Sequence, residues 1–333
     1  MAERTEAERT DAETADAPQN VNARLIAKTI PVTVLTGFLG AGKTTLLNKL
    51  LGHPDMGEAA VLINEFGEIG IDHLLVKETR EDTVLLNSGC LCCTVRGDLV
   101  NAMRELFWQR FDKKIPWFKR VVIETTGLAD PAPIIHTLMT DPTVGPRYRL
   151  DGIVTVVDAV NGAQTLDAQP ESVKQAAVAD RIVLTKADLA SPKQLAAIRD
   201  RLRDLNPSAP VFDASAEFGP KDLFDAGLFK ADRKIADVAG WPIPWDSFVT
   251  WIEMLITTQG ENLLRIKGIL NVAGEPNPVA VHGVQHLFHP PAGLPGWPDD
   301  DHRSKIVFIT RDIGRKVIED TFKAFVDAAR AMP

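Results

Sequence analysis

Cysteine is scarce in this sequence: there are 3 residues among 333, and all of them fall within the stretch NSGCLCCTVRGD. An odd number of cysteines at such close spacing argues against a disulfide framework and favours a reducing compartment, so we expect a cytoplasmic protein. Basic residues are fewer than acidic ones. Lysine and arginine total 37 against 45 aspartates and glutamates, which argues against a protein that binds nucleic acid through clustered basic residues.

Long apolar runs are absent as well. No stretch approaches the roughly 20 apolar residues that cross a bilayer, so we expect no membrane partner. The opening stretch MAERTEAERTDAETADAPQN contains six acidic and two basic residues and no apolar core. A secretion signal needs such a core, and a folded segment needs apolar side chains to bury. We therefore predict that residues 1–28 are a disordered acidic tail.

Short β-branched segments alternate with helical segments from about residue 30 onward. The expected strands are IPVTVLT, AAVLIN, TVLL, RVVIE, GIVTVVDA, RIVLT and APVFDAS. Helical patterns lie between several of them, including residues 44–51, 99–111 and 194–205. Nearly continuous apolar strands separated by helices predict an α/β domain over residues 29–216, with a parallel sheet covered by helices on both faces.

The character of the sequence changes after residue 216. Residues 217–244 are rich in Gly, Pro, Asp and Lys and carry no clear period, which predicts a linker. Apolar residues then recur at helical spacing from Phe248 to Ile256. The segments LLRIKGILNV, PVAVHGVQHLF and KIVFIT follow as expected strands, and a last helix has one apolar face. This order predicts a smaller C-terminal α+β domain over residues 245–333.

The segment GFLGAGKTT matches the pattern G-x-x-x-x-G-K-[ST] between an expected strand and an expected helix. In that context a glycine-rich loop and a helix N-terminus wrap phosphates with backbone N–H groups, so we predict a P-loop NTPase domain. We expect Lys43 to reach the β- and γ-phosphates and Thr44 to bind Mg²⁺ through its hydroxyl. The expected nucleotide-binding residues of this P-loop are Gly37, Phe38, Leu39, Gly40, Ala41, Gly42, Lys43, Thr44 and Thr45.

Two further segments bear on the nucleotide. In RIVLTKADL, Lys186 and Asp188 follow a buried strand. A carboxylate there accepts hydrogen bonds from guanine N1–H and N2–H₂ and repels adenine N1, which favours GTP over ATP. Thr185 stands where Asn is usual in such a motif. In VVIETTG, Glu124 ends a strand three residues before Gly127, which suits a catalytic carboxylate near Mg²⁺ and an N–H group that senses the γ-phosphate.

The three cysteines admit three interpretations. Packing in a core is disfavoured, because adjacent side chains do not both fit one apolar pocket. A redox dithiol lacks the Cys-x-x-Cys spacing at a helix start, and thiolate binding of an ion such as Zn²⁺ fits the cluster best. Three thiolates leave a tetrahedron incomplete, and Glu68 is the favoured candidate for a fourth ligand or for a gate at the site. The cluster is Cys90, Cys92 and Cys93, and the candidates for a further ligand are Glu65, Glu68, Asp72 and His73.

The segment VHGVQHLFHP contains His282, His286 and His289. In one continuous strand, His282 and His286 share a face but lie roughly 13 Å apart along it, which is too far to share an ion easily. We therefore expect ordinary surface or interface histidines here rather than a second metal site.

Five segments, GFLGAGKTTLLN, NEFGEIGID, NSGCLCC, IETTGLADPAP and LTKADL, occur in an order that resembles the CobW family. The C-terminal segments LLRIKGIL and VHGVQHLF resemble the second domain of that family. The resemblance implies a GTPase that acts as a metal chaperone, with Zn²⁺ or Co²⁺ at the cysteines assisted by Glu68, and GTP bound by the P-loop, Lys186 and Asp188. Family members usually have a first strand in the second domain, and RKIADVAGWPIPW shows no strand pattern.

The favoured function is a GTP-hydrolysing metallochaperone that delivers zinc or cobalt to an apo-metalloprotein client. If GTP orders the segments NEFGEIG and IETTG, it assembles the thiolates, and hydrolysis releases the ion. Alternatives within the family are cobalt delivery in cobalamin biosynthesis and activation of nitrile hydratase. Alternatives of other classes are a P-loop kinase or ATPase with incidental or redox-active cysteines, and a scaffold that does not hydrolyse nucleotide.

Overall fold

A sheet of parallel strands organises the first part of the chain. The structure, a computed structural model, describes residues 29–64, 84–88, 95–216, 219–224, 237–239, 242–297 and 300–331. Within these ranges the sheet has 7 strands: β1 (Ile30–Thr36), β2 (Ala59–Asn64), β3 (Val84–Ser88), β4 (Arg120–Glu124), β5 (Tyr148–Asp158), β6 (Arg181–Thr185) and β7 (Val211–Asp213). Their order is β3-β2-β4-β1-β5-β6-β7, and every neighbouring pair is parallel. The predicted α/β fold of the P-loop NTPase type is confirmed.

Helices cover both faces of this sheet. In the described ranges they are α1 (Lys43–Leu51), α2 (Val95–Phe111), α3 (Ala132–Thr140), α4 (Gly162–Ala168), α5 (Pro170–Ala177), α6 (Pro192–Leu205) and α7 (Pro220–Leu223). Successive residues of a strand point to opposite faces. Val34 of β1 therefore packs with α2 and α3, whereas Leu35 packs with α1. The three predicted helices correspond to α1, α2 and α6.

A second, antiparallel sheet with two helices forms the C-terminal part. Its strands are β8 (Asp237–Ala239), β9 (Leu263–Leu270), β10 (Val279–Val284), β11 (Leu287–Phe288), β12 (Ala292–Gly293) and β13 (Ser304–Thr310), and its helices are α8 (Trp245–Gln259) and α9 (Arg315–Ala331). The order is β11-β10-β9-β13-β8, with β12 also paired to β10. Fully buried Trp251 of α8 packs edge-on against Phe322 of α9 at 4.7 Å between ring centroids. The predicted α+β character is confirmed.

Two predictions about local structure in this part are wrong. RKIADVAGWPIPW does contain a strand, β8, whose Ala239 pairs with Ser304 of β13. Only three residues form it, which is too short for an alternating pattern to be visible. PVAVHGVQHLF is not one strand, because Gln285 has a φ of 52° and the chain turns back there, so that β11 pairs with β10.

Residues 217–244, predicted to be a linker, carry secondary structure where they are described. They include α7 and β8. Leu223 and Phe224 join the core beneath α1, whereas β8 belongs to the C-terminal sheet. Among the described helices, none has the length and apolar character needed to cross a membrane.

The two sheets contact each other through buried groups. Arg265 of β9 donates from Nη1 to the carbonyl oxygen of Val178 and from Nη2 to the carboxylate of Asp180. Both charged side chains are almost completely buried. Apolar contacts next to this ion pair join Leu264 and Ile309 to Ala177 at the end of α5. The C-terminal sheet is therefore fixed to the segment that links α5 to β6.

Candidate functional site

The P-loop turns sharply between β1 and α1, and glycine permits the turn. Gly37, Gly40 and Gly42 have φ values of 146°, 72° and 92°, a region that residues with a Cβ rarely adopt. A Cβ on Gly37 would lie 2.3 Å from the carbonyl oxygen of Val156, so any larger residue at this position would clash with β5. The helix then begins at Lys43, with its first N–H groups at the loop, as in phosphate-binding sites.

Lys43 and Thr44 contact the loop and the end of β4. Lys43 Nζ donates to the carbonyl oxygens of Gly37 at 3.0 Å and Phe38 at 3.3 Å, so its ammonium group lies within the loop. Thr44 Oγ1 donates to Glu124 Oε1 at 2.8 Å. Glu124 is only 3% exposed. The structure thus brings together Lys43, Thr44 and Glu124, which the sequence predicts to act together as catalytic residues at the phosphates and Mg²⁺.

Gly127 lies in the loop of residues 125–131, which we call the Gly127 loop, and it packs directly on the P-loop. A Cβ at Gly127 would lie 2.5 Å from the backbone nitrogen of Leu39. Gln175 of α5, which is fully buried, donates from Nε2 to the carbonyl oxygens of Gly127 at 3.1 Å and Ala129 at 3.0 Å. The predicted γ-phosphate sensor is therefore held by a residue that the sequence analysis did not identify.

The segment at the end of β6 also contacts the P-loop. Thr185 Oγ1 donates to the carbonyl oxygen of Ala41 at 2.6 Å, and Lys186 Nζ donates to that of Gly40 at 2.9 Å. Thr185 thus fixes the P-loop with its hydroxyl at the position where Asn is usual. Asp188, two residues beyond Lys186, is exposed, and its carboxylate is open to a base.

Asp158, the last residue of β5, is a site residue that the sequence analysis missed. Its Oδ2 accepts from Lys186 Nζ at 2.7 Å, and its Oδ1 accepts from the backbone N–H groups of Val160 and Asn161. Burial alone would raise the pKa of Asp158, but these donors outweigh it and lower the pKa. The charged carboxylate orients Lys186. The sequence does contain a signal for Asp158, since it is an acidic residue that ends an apolar strand, as in VTVVD.

The predicted metal ligands lie outside the described residues. These are Cys90, Cys92, Cys93 and Glu68, with Glu65, Asp72 and His73. The ends of the flanking strands are described: Asn64 of β2 pairs with Ser88 of β3, and Ile63 pairs with Glu124 of β4. In the ranges that the structure describes, no group of three or more His, Cys, Asp or Glu side chains is placed to hold a metal ion.

His282 and His289 lie together, which corrects the expectation that His282 and His286 share a strand face. Their ring centroids are 4.5 Å apart and both are buried, whereas His286 is exposed. Burial, with Arg265 nearby, lowers the pKa of His282 well below its ordinary value and that of His289 to about 4. The positive charge of Arg265 beside the two rings disfavours a bound cation. The pair is part of the protein interior.

Two family models match the chain. The model described as CobW/HypB/UreG, nucleotide-binding domain, matches residues 31–213. The model described as cobalamin synthesis protein cobW C-terminal domain matches residues 238–326. The first match contains the P-loop, Glu124 and the Lys186 segment, and the second runs from within β8 to within α9.

Characterised relatives cover nearly the whole chain. The zinc chaperone YjiA of Escherichia coli is 34% identical over 88% of this chain and 98% of its own length. The zinc chaperone CobW of Pseudomonas aeruginosa is 30% identical over 92% of this chain and 94% of its own length. Among solved structures, the Zn(II)-bound YjiA GTPase from E. coli superimposes with a TM-score of 0.70 at 29% identity, over 89% of this chain and 99% of that one.

Proposed function

The chain belongs to the CobW/HypB/UreG family, and from that premise we propose that it hydrolyses GTP and uses the nucleotide cycle to hold Zn²⁺ and deliver it to an apo-metalloprotein client. One observation carries the proposal: the strand register aligns the ends of β2 and β3 beside Glu124. The P-loop leaves β1 at the same sheet edge, where Leu35 pairs with Glu124. Movement driven by the nucleotide therefore acts on the segments that contain the cysteines.

The pair of Thr44 and Glu124 suits Mg²⁺. Their oxygen atoms are 2.8 Å apart, and hydroxyl and carboxylate oxygens are the hard ligands that Mg²⁺ prefers. When bound, the ion would neutralise charge on the β- and γ-phosphates. Lys43, from its place within the P-loop, adds a positive charge at the same phosphates.

The segment after β6 supports a preference for guanine. Asp188 is exposed at the edge of the sheet, where its carboxylate accepts from guanine N1–H and N2–H₂ and repels adenine N1. Lys186 is fixed by Asp158 on one side and by Gly40 on the other. The base-binding segment and the phosphate-binding loop are therefore joined by direct hydrogen bonds.

Zn²⁺ is the proposed cargo, held by the thiolates of Cys90, Cys92 and Cys93 with the Glu68 carboxylate. Cys90 follows the end of β3 by two residues and Glu68 follows the end of β2 by four. Chain segments of these lengths span at most about 7 and 14 Å. Tethers this short support a common metal site at one sheet edge, and three thiolates with one oxygen ligand make a tetrahedral set that suits Zn²⁺.

The proposed cycle couples the two ligands. GTP draws the segments after β2 and β4 towards the phosphates and assembles the zinc ligands, and hydrolysis releases them. Linkage then requires that zinc tighten GTP binding by the same factor, typically about 5–150-fold. We also propose that residues 29–216, joined by α7, form the nucleotide domain and that residues 245–333, joined by β8, form the C-terminal domain. The proposed compartment is the cytoplasm, where thiols stay reduced.

The nucleotide half of the proposal is tested by hydrolysis and binding measurements. We expect the chain to hydrolyse GTP slowly, because no arginine finger is present among the identified site residues, and to bind GTP in preference to ATP. Lys43→Ala should abolish turnover, and Lys49→Ala, at the exposed end of the same helix, serves as the matched control. Turnover of ATP at the rate of GTP would favour a kinase or ATPase, and absence of turnover would favour a scaffold.

The metal half is tested by titration of Zn²⁺ against a competing chelator, with a non-hydrolysable GTP analogue, with GDP and without nucleotide. Tighter binding with the analogue, lost in Cys92→Ala, is the expected result. A parallel titration with Co²⁺ distinguishes the two metals. Equal zinc affinity in all three nucleotide states, with the thiols intact and reduced, would contradict the proposed cycle.

A further inference from the structure

Side chains of α5 hold the Gly127 loop at three residues, Gly127, Ala129 and Asp130. Gln175 Nε2 donates to the carbonyl oxygens of Gly127 at 3.1 Å and Ala129 at 3.0 Å. The preceding side chain, Lys174, donates from Nζ to Asp130 Oδ2 at 3.2 Å. The position of the loop against the P-loop is therefore set by specific contacts rather than by the strand end alone.

Asp130 has a further partner in the C-terminal domain. Gln285 Nε2 donates to the same Oδ2 atom at 3.2 Å, from 155 residues away in the sequence. The other oxygen, Oδ1, accepts from the backbone N–H of Ala132 at 2.9 Å at the start of α3. Asp130 thus connects the Gly127 loop to α3, to α5 and to the second sheet.

The backbone at Gln285 indicates that its side chain matters. Its φ of 52° lies in the left-handed region, which is unfavourable for a residue with a Cβ and which glycine adopts without cost. Glycine would therefore serve better if the turn between β10 and β11 needed only this conformation. Strained residues of this kind concentrate where the side chain has a function, and the side chain of Gln285 contacts Asp130.

The turn that carries Gln285 is firmly fixed. The backbone N–H of Gln285 donates to the carbonyl oxygen of Leu264 at 3.3 Å. Val284 is fully buried in the core cluster beneath α2 and α3. Arg265, beside Leu264, forms the buried ion pair with Asp180. The turn is therefore anchored to the C-terminal sheet and to the core, and its contact with Asp130 restrains the Gly127 loop.

We propose that Gln285 is a positioning residue for GTP: through Asp130 it holds the Gly127 loop against the P-loop, so that the C-terminal domain contributes to discrimination between GTP and GDP. The inference rests on the proposed function, because it takes Gly127 to contact the γ-phosphate. Without Gln285 the loop populates positions that withdraw the Gly127 N–H from the γ-phosphate, a group that GDP lacks.

The test uses the full-length chain and compares the dissociation constants of a non-hydrolysable GTP analogue and of GDP. We expect Gln285→Gly and Gln285→Glu to weaken binding of the analogue about three- to tenfold, which corresponds to the net contribution of one typical hydrogen bond. GDP affinity should change less than about twofold. Gln259→Ala, an exposed glutamine at the end of α8, is the matched control and should change neither constant.

Gln285→Gly separates positioning from a merely structural role. Glycine removes the backbone strain at this turn, so its thermal unfolding midpoint should equal or exceed that of the unaltered chain, while its preference for the GTP analogue falls. An unchanged ratio of the two constants in both variants would overturn the inference alone. Failure of the unaltered chain to bind the GTP analogue would overturn the proposed function and this inference with it.

Discussion

The hydroxyl group of Thr44 donates a hydrogen bond of 2.8 Å to Glu124 across 80 residues of sequence. The contact joins the first turn of α1 to the end of β4. It follows from the parallel register of β1 with β4, in which Leu35 lies opposite Glu124. A metal-binding hydroxyl and a buried carboxylate are thereby placed at one point beside the P-loop.

Glu124→Gln should impair Mg²⁺-dependent hydrolysis, because the amide keeps the shape of the side chain and removes its charge. Groups that support metal ligands typically contribute about 10–100-fold in metal affinity or activity. We therefore expect the Mg²⁺ concentration that gives half-maximal GTP turnover to rise by that factor. Glu105→Gln, on the exposed face of α2, is the control. An unchanged Mg²⁺ dependence in Glu124→Gln would show that Glu124 does not contribute to Mg²⁺ binding.

Asp188→Asn should change the base that is preferred. Xanthine carries a carbonyl where guanine carries the N2 amino group, so an amide donor suits xanthine and a carboxylate suits guanine. We expect GTP affinity to fall by about 10–100-fold and the affinity for xanthosine triphosphate to rise, since each unpaired polar group costs about 1–3 kcal/mol. The measurement is competition against a fluorescent nucleotide, with exposed Asp204→Asn as control. Equal losses for both nucleotides would indicate that Asp188 does not contact the base.

The P-loop and the strands around it could be predicted from sequence because their determinants are local. A glycine pattern between a β-branched strand and a helix specifies both the turn and the phosphate contacts within nine residues. The contacts that hold the Gly127 loop are of another kind. Gln175 lies 48 residues from Gly127, and Gln285 lies 155 residues from Asp130. Nothing near these residues in sequence distinguishes them from other polar residues on a helix or in a turn.

The turn at Gln285 shows why the second domain was harder to predict. Turns with positive φ are recognised by Gly, Asn or Asp, and here the residue is Gln. The apolar pattern continues on both sides of it, so the segment resembles one long strand. The same error led to the wrong pairing of histidines, because the turn places His289 rather than His286 beside His282.

Breaking the ion pair between Arg265 and Asp180 should destabilise the protein strongly. Both side chains are almost completely buried, and removal of Arg265 leaves the buried Asp180 carboxylate with Lys267, at 3.7 Å, as its remaining cation; loss of one partner of a buried pair typically costs about 3–5 kcal/mol. We expect Arg265→Met to lower the free energy of unfolding by that amount in urea titrations at pH 7. The exposed pair of Arg315 and Glu319 on α9 is the matched control, and Arg315→Met should cost under about 1 kcal/mol. Similar costs for both variants would show that the Arg265 contact is not buried in solution.

Stability should fall as the pH falls from 7 to 5, in part because of His289. Burial, the largest influence, together with Arg265, lowers the pKa of His289 to about 4 despite the opposing effect of Asp180, whereas an unfolded chain protonates the same imidazole near pH 6.5. Between these values the unfolded chain binds the additional proton, so acid favours unfolding, by about 2 kcal/mol at pH 5 relative to pH 7. Buried His282, whose pKa is also lowered, by burial and by the charges of Arg265 and Lys267, adds an effect of the same sign. The measurement is the difference in the free energy of unfolding between pH 7 and pH 5, from urea titrations. This difference should be smaller for His289→Phe and unchanged for the control variant His302→Gln, at an exposed histidine. If His289→Phe leaves the difference intact, His289 is protonated in the folded protein.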